Sequence, residues 1–324
     1  MNPILFREAL DRFRGRRAWP FLLIWILGNG VVVYLMLIAA TSMGDMGLGA
    51  LIGRSSVGPF MFHGVCLLLL LGIIMILPGM AAVSIVGERE KQTLRLVQVT
   101  TLSPRQIVTG KLVAALGYIG WLVAAVLPVL AAPMLIGGVR MGDVFGALLM
   151  LGLIATLIGA FSIWLSARSR STRTAVAGSY LLTFTLLFLT PLLAVGEAFV
   201  QTDQFRRPPN TELWSLLPNP YVTLVSAVAH PLEVDGNGGG VQTPFYPGYE
   251  FLLTRENLST TFGQGIPANR IVEEDGRRLV RPSRPPLWIL SGLIYLGVIA
   301  LAIRRASRWV TTPSPSEFTV KRTR

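Results

Sequence analysis

Residues 88–91 (EREK) form the longest uninterrupted run of charged side chains in the sequence, and they stand between two long apolar stretches. Leu94 and Val97 follow them at about the spacing of one helical turn. A charged edge beside a small apolar ridge is typical of a segment that docks into a groove on another protein. The alternative is a solvated loop whose charges only set the topology of the chain.

The other reactive side chains form no catalytic or metal-binding pattern. His63 and His230 have no Cys, His or carboxylate at ligand spacing, so we predict no metal site. The single cysteine, Cys66, lies within an apolar run and cannot form an intramolecular disulfide. The sequence contains no G-x-x-x-x-G-K-[ST] phosphate-binding loop. We therefore expect no catalytic residue, no cofactor and no ATP site in this chain.

The composition indicates a chain whose solvent is largely lipid, because 52% of the 324 residues are hydrophobic and only 14% are charged. Six windows contain no Asp, Glu, Lys or Arg and are long enough to cross about 30 Å of hydrocarbon as helices. These windows are 18–44, 55–87, 112–139, 144–167, 174–196 and 285–303. The sequence thus predicts an all-α integral membrane protein with six transmembrane helices.

Two further patterns bear on how these helices are arranged. A seventh uncharged window, 213–232, contains three prolines and is predicted to form one or two short helices at the outer face instead of a crossing. In the fourth window Gly152, Thr156 and Ala160 form a small-residue stripe, which predicts close helix packing. The apolar windows hold no ionisable side chain except His63, which disfavours proton- or sodium-driven transport and intramembrane catalysis.

The charges of the connecting segments predict the orientation. With six spans and an inside N-terminus, the inner segments hold 19 of the 29 basic residues and 5 of the 17 acidic residues. This bias follows the positive-inside rule, so the net charge of +12 gives no support for nucleic-acid binding. We expect a multi-pass protein of the cytoplasmic membrane with both termini in the cytoplasm.

The chain divides into three predicted parts. Residues 1–18 form an amphipathic helix in the membrane interface, because apolar side chains recur there at helical spacing opposite a basic face. Residues 19–310 form the six-span domain, with a coupling segment at 87–106 and a large outer loop at 198–285 between spans five and six. Residues 311–324 are rich in Ser, Thr and Pro and are predicted to be a disordered cytoplasmic tail.

The end of the charged segment is predicted to be a firmly capped helix start. Residues 100–102 are expected to break the preceding helix. Ser103 then serves as N-cap, Pro104 occupies the first helical position, and Gln106 completes a capping box. The segment is thereby joined rigidly to the third span.

The stretch GEREKQTLRLVQVTTLSPRQIVTGKLVAAL resembles the signature of type 2 ATP-binding-cassette (ABC) transporter permeases of the exporter class. In that signature a G-E-R-E-x-x-T-L run precedes a T-P-L-S or T-L-S-P turn and an I-V-x-G-K-L helix start. The matching residues are Gly87, Glu88, Arg89, Glu90, Thr93, Leu94, Leu102, Ser103, Ile107, Val108, Gly110, Lys111 and Leu112. The N-terminal segment, the number of spans and the large outer loop are also similar to that family.

The resemblance implies that residues 87–106 are a coupling helix seated in a cleft of a separate ATPase subunit. The expected contacts are Glu88, Arg89, Glu90, Thr93 and Leu94. It further implies an exporter in which two ATPase subunits act on a homodimer or heterodimer of permeases within membrane lipid. The alternative is a non-transport membrane scaffold or sensor that docks a cytosolic partner through the same inner loop.

Overall fold

The computed structural model describes residues 18–42, 57–93, 103–202, 214–228, 233–234, 241–242, 271–274, 277–280 and 287–311. Three predicted features lie outside these residues. They are the interfacial helix apart from its last residue, the expected contact Leu94, and the tail beyond residue 311.

The predicted helical architecture is confirmed. Within the described residues, six helical stretches are long and apolar enough to cross a membrane, and each coincides with one of the six uncharged windows. The helices are α1 (Ala18–Ser42), α2 (Val57–Glu90), α3 (Pro104–Ile136), α4 (Met141–Arg168), α5 (Thr172–Phe184), α6 (Thr190–Thr202), α7 (Pro220–Val228) and α8 (Leu287–Thr311). A π-helical turn, Thr185–Leu189, joins α5 to α6, so the fifth span runs through three elements.

Helix α2 lies at the centre of the bundle. It packs against α1, α3, α4 and α5, while α4 packs between α2 and α8. Phe62, Leu69, Leu77 and Ile85 recur at seven- and eight-residue spacing on α2 and are fully buried, as a helical face in a packed core must be. Helix α1 is peripheral: Ile24 has 69% of its surface exposed, as expected of a side chain that faces hydrocarbon.

Glycines set the closest helix contacts. The Trp25 indole occupies the space where a side chain at Gly72 would lie, and Leu112 Cδ1 stands 2.8 Å from the position of a Cβ at Gly159. The predicted small-residue stripe on α4 is correct for Ala160, which is buried, and wrong for Gly152, which faces open space. The glycine of α4 that permits close packing is therefore Gly159, two turns farther along the helix.

The region between spans five and six contains more structure than the sequence indicated. The predicted short helices are present as a 3-10 turn, Trp214–Leu216, and as α7, whose apolar side chains are buried against α4 and α8. Farther along, two antiparallel pairs form a sheet in the order β2-β1-β4-β3, with strands β1 (Glu233–Val234), β2 (Val241–Gln242), β3 (Ile271–Glu274) and β4 (Arg277–Val280).

The antiparallel register of β3 and β4 places Glu273 opposite Arg278 and Glu274 opposite Arg277. We assigned no strands to this region from the sequence, and the prediction of a wholly helical chain is thus limited to the membrane domain.

Candidate functional site

The charged segment begins where α2 ends, and a Schellman turn sets that end. Gln92 has φ 58°, its amide donates to the Arg89 carbonyl at 3.0 Å, and the Thr93 amide donates to the Glu88 carbonyl at 2.9 Å. Helix α2 therefore ends at Glu90, and the predicted break at residues 100–102 lies outside the described residues. This end places Glu88, Arg89 and Glu90 in the last turn of α2, and we call these three residues the charged cluster.

Glu88 forms an ion pair with α3. Its Oε1 lies 2.7 Å from Lys111 Nζ, which also donates to the Ser84 carbonyl at 2.9 Å. The Lys111 side chain is only 1% exposed, whereas that of Glu88 is 29% exposed. A buried ammonium group is stable only with such partners, because burial removes its hydration.

Arg89 caps the end of α4. Its Nη1 donates to the Ser169 carbonyl at 2.9 Å and its Nη2 donates to the Ala167 carbonyl at 3.0 Å. The last carbonyls of a helix have no intrahelical partner and carry partial negative charge, so a guanidinium stabilises them both by hydrogen bonding and by charge.

Glu90 caps the start of the next helix, α5. Its Oε1 accepts from the Thr172 amide at 2.7 Å and its Oε2 accepts from the Thr172 hydroxyl at 2.6 Å. The first amides of a helix are unpaired and carry partial positive charge, which a carboxylate stabilises. Arg89 and Glu90 thus hold the two sides of the short connection between α4 and α5.

A buried serine adds a further link between α2 and α4. Ser166 Oγ accepts from the amides of Ile85 and Val86 at 3.1 and 3.0 Å, and Ser166 is fully buried. Together with the bonds of the charged cluster and Lys111, eight hydrogen bonds join residues 84–90 to three neighbouring helices. We call this side of the bundle, with the connections 91–103 and 169–171, the basic side.

The far end of the segment has the predicted cap. The Gln106 amide donates to Ser103 Oγ at 3.3 Å, and Gln106 Oε1 accepts from the Ser103 amide at 2.8 Å. Pro104 is the first residue of α3. Residues 91–93, at the near end, are exposed, and Thr93 Oγ1 donates to the Glu88 carbonyl at 3.2 Å.

The structure thus brings Glu88, Arg89 and Glu90 together and bonds their charged groups to α3, α4 and α5. Sequence reasoning missed their partners Lys111, Ser166 and Thr172. Lys111 carried a signal, since it is a charged residue within the apolar start of a helix, but the sequence assigned it no ion-pair partner.

A second polar group lies on the other side of the bundle. Pro191 has no amide hydrogen, so the Leu187 carbonyl lacks its helical partner, and Asn219 Nδ2 donates to it at 3.0 Å. Asn219 Nδ2 also lies 2.7 Å from Thr190 Oγ1, and Asn219 Oδ1 accepts from the Val222 amide at 3.0 Å. Asn219 is fully buried and holds the start of α7 against the π-helical turn.

Tyr295 joins the same region to α8. Its hydroxyl donates to the Pro218 carbonyl at 3.1 Å and lies 3.0 Å from Thr223 Oγ1. The dipeptide Asn219-Pro220 was the available signal, because Asn at an N-cap followed by Pro at the first position is a strong helix start. Among the described residues, no group of three or more His, Cys, Asp or Glu side chains could hold a metal ion.

A search of curated proteins finds no match for this chain. The model of one protein family, described as "ABC-2 family transporter protein", matches residues 3–237. This match covers more than half of the sequence and contains spans one to five, the charged cluster and α7. Members of this family are membrane components of ABC transporters, which normally work with an ABC ATPase and are not themselves the ATPase. The chain, a multi-pass membrane protein with six apolar spans, therefore belongs to the ABC-2 transporter family.

Proposed function

We propose that this chain is the permease subunit of an ABC exporter, which moves a substrate across the cytoplasmic membrane with ATP hydrolysed by a separate ATPase subunit. The observation that supports this proposal best is the bonding of residues 84–90 to α3, α4 and α5. A partner seated on residues 87–106 acts on a helix end that is joined to three other spans. This is the arrangement that an externally powered transporter requires.

The five expected ATPase contacts fall into two groups. Thr93 is exposed beside the connection that leads into the rest of the segment, and Leu94 follows it directly. The charged groups of Glu88, Arg89 and Glu90 form an ion pair or hydrogen bonds with other residues of this chain. In addition, Glu88 Oε2 and Arg89 Nε are buried and have no hydrogen-bond partner. Contact of all five residues with the ATPase stays a prediction.

The proposed assembly contains two permeases, identical or related, and two ATPase subunits. The basic side faces the cytoplasm in this arrangement, because its connections and the helix ends beside them carry Lys91, Arg168, Arg170 and Arg173. Closure of the ATPases on ATP displaces the coupling segments and switches the central path between inner and outer access. Membrane lipid contacts the exposed apolar faces of α1 and α8.

Cross-linking tests where the ATPase docks. A photo-cross-linking amino acid is placed at Thr93 or at Leu94 in the full-length chain, and the complex is purified from its native membrane. We expect each variant to yield a covalent product with an ATP-hydrolysing subunit, identified by mass spectrometry. The matched control is Met141, which is 75% exposed at the start of α4 on the opposite side, and it should yield no such product.

Two results would count against the proposal. If the ATPase cross-links to Met141 and to neither segment residue, the docking surface is on the other side of the bundle. If the segment captures a partner that does not hydrolyse ATP, the scaffold or sensor function explains the same docking segment better.

A further inference from the structure

The charged cluster bonds the end of α2 to three other helices. Its three side chains stand at consecutive positions, and each is bonded to a different helix: Glu88 to α3, Arg89 to the end of α4, and Glu90 to the start of α5. A surface residue that contacts only a partner protein forms no such bonds within its own chain. Here Glu88, Arg89 and Glu90 form hydrogen bonds of 2.6–3.0 Å to other helices of the same chain.

The groups that receive these bonds are helix termini. Ala167 and Ser169 supply the last carbonyls of α4, and Thr172 supplies the first amide of α5. Termini are the points at which a helix can be held by polar bonds without breaking its internal ladder. Lys111 lies in the second turn of α3, close behind the capped start at Ser103.

The bonds converge on one short stretch of α2. Ser84 accepts from Lys111, and the amides of Ile85 and Val86 donate to Ser166, so backbone and side chains of the same two turns are held together. A displacement of the end of α2 must therefore carry the ends of α3, α4 and α5 with it, or break several short bonds at once.

We propose that Glu88, Arg89 and Glu90 are positioning residues that couple the end of α2 to α3, α4 and α5, so that force on the docked segment moves four spans as one unit. This inference rests on the proposed function, and it assigns the three charged groups to transmission within the membrane domain. The ATPase is held by Thr93, Leu94 and the residues of the segment that follow them.

The test uses the purified permease–ATPase complex in lipid nanodiscs. Spin labels at Lys91→Cys and Arg170→Cys report the separation of the end of α2 from the α4–α5 connection by continuous-wave EPR. Both positions are exposed, and the native Cys66 is buried and inert to labelling. The variants are Glu90→Gln, Arg89→Lys and Thr172→Val, and Arg305→Gln in α8 is an exposed basic control outside the charged cluster.

We expect the three variants to broaden the label separation and to lower permease-stimulated ATP hydrolysis about fivefold or more, while the ATPase still co-purifies in native amount. Thr172→Val is the sharpest variant, because it alters the partner of Glu90 without changing the docked segment. Arg305→Gln should match the native complex in all three measurements.

The Glu88–Lys111 pair gives a rescue test. The single variants Glu88→Lys and Lys111→Glu should each uncouple hydrolysis, and the exchanged pair Glu88→Lys/Lys111→Glu should recover a large part of the stimulation. Recovery is not expected if Glu88 serves as an ATPase contact, because the exchange leaves a lysine at the docking surface.

The positioning role is overturned if Glu90→Gln and Arg89→Lys reduce ATPase co-purification while the label separation stays native. That result would make them docking contacts and leave the proposed function intact. If the native chain binds no ATPase, the proposed function fails instead. The label separation can also be measured in the permease without an ATPase. If it stays native in every variant, the three residues do not couple the helix ends.

Discussion

Lys111 places an ammonium group in a side chain that is only 1% exposed, and Glu88 is its ion-pair partner. The two residues are unequal, because the glutamate side chain retains 29% of its exposure. Loss of the carboxylate leaves the charge of a fully buried side chain, whereas loss of the ammonium leaves the charge of a side chain that is less buried. Removal of one partner of a buried pair is costly mainly because of the charge that remains.

This asymmetry predicts unequal effects on stability. Glu88→Ala should destabilise the protein by about 3–5 kcal/mol, and Lys111→Met should destabilise it less. The double variant should recover most of the loss seen with Glu88→Ala. Thermal unfolding of each variant in nanodiscs provides the comparison. A lower melting temperature for Lys111→Met than for Glu88→Ala would contradict the unequal burial of the pair.

Single-residue roles were predictable where the partner is close in sequence. The capping box joins Ser103 to Gln106, three residues away, and the sequence pattern alone identifies it. The partners of the charged cluster are 23 to 82 residues away, and a run of charges does not show which helix ends the fold places beside it. The predicted docking surface therefore contained residues whose bonds are internal.

At the scale of the element, the sequence did not predict the turn that ends α2 at Glu90. A helix commonly ends at a glycine in the left-handed region, and here Gln92 takes that conformation. Glutamine gives no such signal in the sequence. The turn is instead stabilised by the Thr93 hydroxyl and amide, which both donate to the Glu88 carbonyl.

Asn219, which bonds the π-helical turn of the fifth span to the start of α7, is predicted to contribute to stability. Asn219→Ala should destabilise the protein by about 2–3 kcal/mol, because it leaves the Leu187 carbonyl and the Val222 amide buried without a side-chain partner. Asn219→Asp should be worse, since a carboxylate cannot donate to the carbonyl. Melting temperatures of the purified variants measure both effects.

A second substitution makes this prediction specific. Pro191→Ala restores an amide that can donate to the Leu187 carbonyl, so it should recover part of the stability lost in Asn219→Ala. Purely additive losses in the double variant would show that Asn219 does not replace the hydrogen bond that Pro191 removes.

For the whole molecule, hydropathy and charge predicted the six spans because a crossing helix has a fixed minimum length and excludes charge. The four-stranded sheet between spans five and six was not predictable in the same way. Its strands are two to four residues long, and the ranges 233–234 and 241–242 show no alternation that could identify a strand.

For the whole molecule we predict that the basic side faces the cytoplasm and that the start of α4 faces the opposite side of the membrane. Met141→Cys, at the start of α4, should react with a membrane-impermeant thiol reagent in intact cells. Arg170→Cys, on the basic side, should react only after the membrane is permeabilised. Mass-shift labelling of the two variants decides between the orientations, and the reverse pattern would place the basic side outside.

Span five also has a mechanical consequence. Its first half is held at Thr172 by Glu90 of α2, and its second half is held through Asn219 to the segment that Tyr295 joins to α8. The π-helical turn lies between these two attachments. If α2 and α8 shift relative to one another, the two halves of this span are pulled by different neighbours. The backbone of the π-helical turn, which lies between the two attachments, is then the part of the span that must twist when α2 and α8 move apart.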